Sequence, residues 1–235
     1  MPPPTADLEA ACRADRAPRA SPVSIGRRLK SSLCPDIQLS LHPRLWASWQ
    51  TGSSGDMSAC PPYWALAWPG GQALARYILD HPEIVAGRNV VEWGAGCGLV
   101  AIAAALSGAR QVWAIDRDKL AVAAINNNAL LNGVSQQVWA IRAELSSACA
   151  DGEVILAADL WYDRFDAVRI TSALRSNAER GANVLIGDSN RAFAPRCGLA
   201  MLSRYLVPTN PEVEQKWFTN AYVARFHRAT SGTRV

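Results

Sequence analysis

The chain has 235 residues, a hydrophobic share of 49%, a formal charge of +4 and a pI near 8.8. That length accommodates one domain with a large core, and the mild positive charge, with no run of Lys or Arg, is too weak to argue for a nucleic-acid partner. The six cysteines are scattered without a CxxC pair, which argues against a zinc ribbon or a dithiol redox motif, and no apolar run reaches membrane-spanning length.

The N-terminus, "MPPPTADLEAACRADRAPRA", lacks a secretory apolar core and reads as a disordered Pro/Ala/Arg tail. Residues 1–32 are set apart from a domain spanning 33–235, in which residues 33–82 form an N-terminal segment. Within that segment "LCPDIQLSL" is extended and "HPRLWASWQTGSSGDMSACPP" reads as loop. "GGQALARYILDHP" reads as a short helix that ends before Pro82.

From Asn89 onward strands and helices alternate. "NVVEW" predicts a buried strand, "LVAIAAALSG" a helix stopped at Gly108, and "QVWAID" a second strand ending in an acid. "DKLAVAAINNNALLNG" predicts a helix stopped at Gly133, "QQVWAIR" a third strand, and "EVILAAD" a fourth. "DAVRITSALRSNAERG" is helical and "NVLIGD" is a fifth strand. Beyond Asp188, "RCGLAMLSRYL" is expected to be helical, and "EQKWFT" and "AYVARFHRA" to be two strands closing the sheet edge. The pattern implies βαβ units: a Rossmann-like, doubly wound α/β sheet of seven strands covered by helices on both faces.

"VVEWGAGCGLVAIAAA" carries the chemistry. A strand that turns sharply into a helix against a ligand needs glycine where a side chain would block the approach. Dinucleotide loops use G-x-G-x-x-G. Here Gly94, Gly96 and Gly98 alternate, so the third glycine comes one residue early. Glu92 stands two residues before Gly94. A carboxylate there would repel a pyrophosphate but attract the ammonium of an aminoacyl ligand, directly or through water. S-adenosylmethionine carries an ammonium and a sulfonium and no phosphate, so it fits this loop better. Asp116, at the end of the second strand, is placed to accept ribose hydroxyls, with Asp118 read as a helix cap. Glu144, after the third strand, is placed either to meet an adenine amino group or to be a solvated loop acid. "AADLWYD" ends the fourth strand, putting Asp159, Trp161 and Tyr162 near the reactive end of such a ligand. Trp161 is alternatively read as packing under the adenine, and Trp64 and Trp68 as core aromatics. A metal is not expected, since His42, His81 and His227 lie far apart.

The stretches "PPYWALAWPGGQALARYILDHPE", "VVEWGAGCGLVAIAAA", "AADLWYD" and "VLIGDSNRA" resemble the seven-strand class I methyltransferases. Among those the chain is similar to the lysine methyltransferases with an Asp-x-x-Tyr/Phe motif after strand four, in particular the electron transfer flavoprotein β-subunit lysine methyltransferase family and its bacterial relatives. The resemblance runs from about Leu33 to the end of the fifth strand. It departs from the family at Ser189-Asn190, where Pro-Gly is common. It implies that Trp68 lines the S-adenosylmethionine pocket and that Asp159 and Tyr162 border the channel for a lysine amine, the catalytic pair. It further implies a protein substrate, the flavoprotein β subunit first; the scattered cysteines are read as reduced thiols of a cytoplasmic protein, mitochondrial in a eukaryote. The residues themselves leave open a small-molecule N-methyltransferase, an NAD-type oxidoreductase and a non-catalytic relative of the fold.

Overall fold

A computed structural model describes residues 27–51, 61–144 and 152–227. Seven strands form one sheet in the order β5-β4-β3-β6-β7-β9-β8. They are β3 (Asn89–Trp93), β4 (Gln111–Asp116), β5 (Val138–Arg142), β6 (Val154–Ala158), β7 (Asn183–Asp188), β8 (Leu199–Pro208) and β9 (Phe218–Phe226). The five strands β3 to β7 pair in parallel, and β9 joins β7 and β8 antiparallel. The chain steps outward from β3 to β4 and β5, then returns to place β6 on the other side of β3. Helices departing in opposite directions from this switch point open a crevice at the strands' carboxyl ends.

Alternate residues of each strand feed two cores. On one face Val90, Val112, Ala114 and Leu156 pack with α2 (Pro69–Asp80), α3 (Leu99–Leu106) and α4 (Lys119–Leu131). On the other, Val91, Trp93, Trp113 and Ile155 pack against α5 (Arg164–Glu179). Helix α3 is buried along almost its whole length, so its Ala-rich sequence lets it lie close to the sheet. A two-stranded ribbon, β1 (Arg27–Lys30) and β2 (Gln38–Leu41), lies against α4. It is tied there by Asn128 and Asn132, whose Oδ1 atoms accept from Ser40 N at 2.7 Å and Gln38 N at 2.9 Å.

Four expectations are corrected. The tail assigned to residues 1–32 reaches too far, because Arg27–Lys30 form β1 in register with β2; its first 26 residues lie outside the described ones. "PRLWASWQ" is not loop but helix α1 (Pro43–Gln50), opened by Pro43 at its first turn, where a proline costs no hydrogen bond. The segment expected to be a C-terminal helix is strand β8. A bulge between Met201 and Ser203 inserts Leu202, shifts the pleat and removes the strict alternation that marks a strand. "EQKWFT" is no separate strand: Pro211–Glu214 form a short helix, α6, Gln215 turns through a positive φ of 58°, and β9 begins at Phe218.

Candidate active site

The crevice holds a cavity of about 830 Å³, a size suited to a nucleoside-class ligand. Its floor on one side is the glycine loop between β3 and α3. Gly94, Gly96 and Gly98 all have positive φ, at 62°, 53° and 81°. A Cβ on Gly94 would lie 2.3 Å from Leu160 Cδ2, so a side chain there would have to push the Leu160 tip aside. At Gly96 the nearest neighbour to such a Cβ would be Trp64 Cα at 3.9 Å, and the position lies bare on the cavity. Gly98 is instead the N-cap of α3, packed on Ile125, and stands outside the wall.

Asp116 ties this loop to the next one. Its Oδ2 accepts from Gly96 N at 2.9 Å and its Oδ1 from Asp118 N at 2.9 Å, which leaves each oxygen further lone-pair capacity toward the cavity it lines. Burial raises its pKa, so hydroxyl donors from a ligand would compensate a real desolvation cost. Asp118 caps α4 as expected, accepting from Leu120 N. Glu144 is exposed at the cavity rim.

Glu92 is corrected. It is 3% exposed, is absent from the cavity wall, and its Oε2 accepts from Ala101 N at 2.8 Å. It therefore caps the first turn of α3 from beneath, and burial holds its pKa well above the usual carboxylate range. Trp161 is fully buried on the α5 side, its Nε1 donating to Thr171 Oγ1, and it does not line this cavity.

The opposite half of the cavity is aromatic. Trp68 lines it, held by its Nε1 donating to Tyr63 O at 2.7 Å. Trp46 meets Trp68 edge-on at 5.0 Å, and Tyr63 lies 4.6 Å from Tyr162, ring centre to ring centre. Trp64, read as a core residue, is both buried and part of the wall. Tyr162 borders the opening, its hydroxyl accepting from Arg117 Nη2 at 3.2 Å, while Arg117 Nη1 donates to Asp166.

Asp159 does more than line the wall. With φ at 50°, it ends β6 in a left-handed turn that Asp tolerates. Its Oδ2 accepts from Gly70 N at 2.6 Å and Gly71 N at 3.2 Å, the first turn of α2. Its Oδ1 accepts from Ser189 Oγ at 2.7 Å, Ser189 N at 3.3 Å and Arg191 Nε at 3.2 Å. The carboxylate thus joins three elements and neutralises the positive end of α2. Beside it Asp188 is fully buried, and burial, then the Asp159 charge, push its pKa up to about 7. Arg191 keeps its charge despite burial because Asp159 and Glu214 flank it. Sequence reasoning missed Trp46, Tyr63, Arg117, Arg191 and Glu214. The density of aromatics between Trp46 and Trp68 was a signal for the first two; nothing local marks Glu214.

The chain is 37% identical over 202 residues to the mouse electron transfer flavoprotein beta subunit lysine methyltransferase, covering 83% of this chain and 78% of the relative. The Caenorhabditis elegans homolog is 42% identical over 222 residues, with 87% and 88% covered. The chain belongs to this methyltransferase family. The family model for ribosomal protein L11 methyltransferase (PrmA) matches residues 73–160, from within α2 through the glycine loop to just past Asp159. A Pyrococcus horikoshii structure, proposed to be an RNA methyltransferase, superposes with a TM-score of 0.52 at 16% identity, over 72% of this chain and 90% of that one. At that identity it supports the fold alone. Family membership sets the dinucleotide alternative aside. Among the described residues no group of three or more His, Cys, Asp or Glu could hold a metal, and no helix is long and apolar enough to cross a membrane.

Proposed function

We infer that this methyltransferase uses S-adenosylmethionine to methylate the ε-amine of a protein lysine, with the electron transfer flavoprotein β subunit as its acceptor. The observation that carries the cofactor half is Asp116, bonded at once to the glycine loop and to the start of α4 and open to the cavity. The cradle fits: bare backbone at Gly94 and Gly96, an acid for the ribose and Glu144 at the rim for the adenine amino group. The acceptor half rests on the names of the family relatives and on an aromatic wall ending in Tyr162.

S-adenosylmethionine supplies a methyl group on a sulfonium, whose departure as a neutral thioether needs no acid. With the cofactor held by this loop, the acceptor amine would take that methyl group and its surplus proton would pass to solvent. The work of this chain is therefore to strip water and aim the amine. Tyr63, Trp68 and Tyr162 desolvate the channel, which favours the neutral amine over the ammonium. Tyr162, steadied by Arg117, borders the path of the amine. Asp159 holds α2, and with it Trp68, at the right depth. Glu92 and Gly98 support the cofactor loop from below. The reaction calls for no metal.

The test is mass spectrometry of purified flavoprotein β subunit incubated with the enzyme and methyl-labelled cofactor, beside a panel of small amines. Label on lysines of the β subunit is expected. Label on small amines and on no protein would overturn the acceptor assignment.

A further inference from the structure

Two carboxylates face the acceptor half of the cavity, Asp159 and Glu214, with the Arg191 guanidinium between them. Arg191 Nε lies 3.2 Å from Asp159 Oδ1 and Nη2 lies 3.0 Å from Glu214 Oε1, while Cζ sits 5.1 Å from the centre of the Trp68 ring. At this point of the wall one cation stands against two anions, while Arg117 and Asp166, paired with each other, and Arg169 line the cavity elsewhere.

The two acids differ in what they have left to offer. Asp159 accepts from five donors, two on Gly70 and Gly71, two on Ser189 and one on Arg191. A carboxylate has about four acceptor sites, so Asp159 is saturated. Glu214 accepts only through Oε1, from Arg191; among the described residues nothing hydrogen-bonds to Oε2. Its side chain is 13% exposed and stands in the cavity wall. A carboxylate so enclosed, with one oxygen unused, favours an incoming cation or N–H donor more strongly than a surface acid would.

Local structure delivers Glu214 to this place. Pro211 opens α6, Asn210 Oδ1 accepts from Glu212 N at 3.0 Å, and Gln215 ends the helix by its left-handed turn. The insertion between β8 and β9 thereby carries an acid from the antiparallel edge of the sheet to the end of β6.

We propose that Glu214, not Asp159, is the carboxylate that binds the acceptor amine. Its Oε2 receives an N–H of the lysine and so selects a cationic side chain over neutral ones. This rests on the protein-lysine reading of the site. Arg191 sets the geometry: by holding Oε1 it fixes the carboxylate in the wall and leaves Oε2 to a ligand, while its own charge offsets one of the two anions.

The experiment is a double-mutant cycle on binding, read by calorimetry with S-adenosylhomocysteine present. The partners are wild-type enzyme and Glu214→Gln, each titrated with flavoprotein β subunit and with a β subunit whose methylated lysines are changed to methionine. Glu214→Gln keeps an oxygen for Arg191 and nearly the same shape, so the fold should survive. It should weaken binding of the native β subunit by about tenfold and leave the methionine form unaffected, a coupling typical of a close charge pair. In turnover it should raise KM by a similar factor, with kcat changed far less, and Glu214→Asp should recover part of the loss. Equal weakening for both acceptors, or none for either, would overturn the proposal, as would a Glu214→Gln variant that loses S-adenosylhomocysteine affinity to the same degree. Failure of the parent reading is separate: wild-type enzyme would then methylate no lysine of the β subunit, whatever the variants do, and the assignment of Glu214 to a lysine would fall with it.

Discussion

Asp116 and Asp188 are both buried acids with raised pKa, yet their surroundings give them different work. Asp116 bridges two loop N–H groups and lines the cavity, so its unused lone pairs face a ligand. Asp116→Ala should weaken S-adenosylmethionine binding by about 1–3 kcal/mol, from the loss of charge-assisted hydrogen bonds. Calorimetry on the folded variant checks this, and unchanged affinity would remove Asp116 from the cofactor site. Asp188 does not line that cavity; its Oδ1 accepts from Arg191 N at 2.8 Å and its Oδ2 has no partner among the described residues. Its pKa is raised from 3.8 to about 7, so the neutral form is the one the fold favours. Below pH 4 the group is neutral in folded and unfolded chains alike. As pH rises the unfolded chain ionises first, and the stability tied to the neutral form is lost on the way up through about 7. Denaturation midpoints measured from pH 5 to pH 8 should therefore fall more in the wild type than in Asp188→Asn. Parallel slopes for the two proteins would show that Asp188 does not titrate in this range.

Helix α2 is held at its first turn by a carboxylate from another element, because Trp68 at its N-cap supplies no side-chain acceptor. Two glycines make the approach possible: a Cβ on Gly70 would fall 2.6 Å from Gly187 O, and one on Gly187 would fall 2.2 Å from Gly70 O. The Asp159 carboxylate closes this junction of α2, β6 and β7. Asp159→Ala would strand two N–H groups and leave Arg191 against Glu214 alone, a loss of about 3–5 kcal/mol. Asp159→Asn keeps an acceptor oxygen for α2 and should cost about half as much. Urea denaturation of both variants separates these values. An Ala variant as stable as the wild type would mean that the junction does not depend on this acid, and its activity could then be read as chemistry.

Across the whole molecule, the β1–β2 ribbon and α1 wrap the same side of the sheet as α4 and bring Trp46 to the cavity from far upstream. Cys34, Ile37 and Leu39 are fully buried there. A chain starting after Leu41 should thus lose several kcal/mol relative to one starting at Arg27, since each buried apolar side chain is worth about 1.5–3 kcal/mol. Thermal melts of the two truncations test this. Equal melting temperatures would make the ribbon an ornament on an independent core.

The sequence by itself determined the parallel half of the sheet, because a strand buried on both faces is a continuous apolar run and a strand–glycine–helix turn has few solutions. It also marked Gly94, Gly96 and Asp116 as neighbours in one crevice, since that placement depends on position along the chain, next to strand ends. It did not determine β8, whose bulge at Leu202 erased the alternation, or α1, whose start signal at Pro43 was outweighed by the Gly/Ser stretch after it. Nor could it separate acids by environment. Glu92 and Asp116 both end or nearly end a strand, yet only the packing of α3 over Glu92 turned it into a buried cap. Asp159 and Glu214 lie far apart in sequence, and only the return of β9 to β7 brought them to one guanidinium. Which carboxylate is saturated and which keeps a free oxygen is a property of contacts between distant elements, and those exist only once the chain has folded.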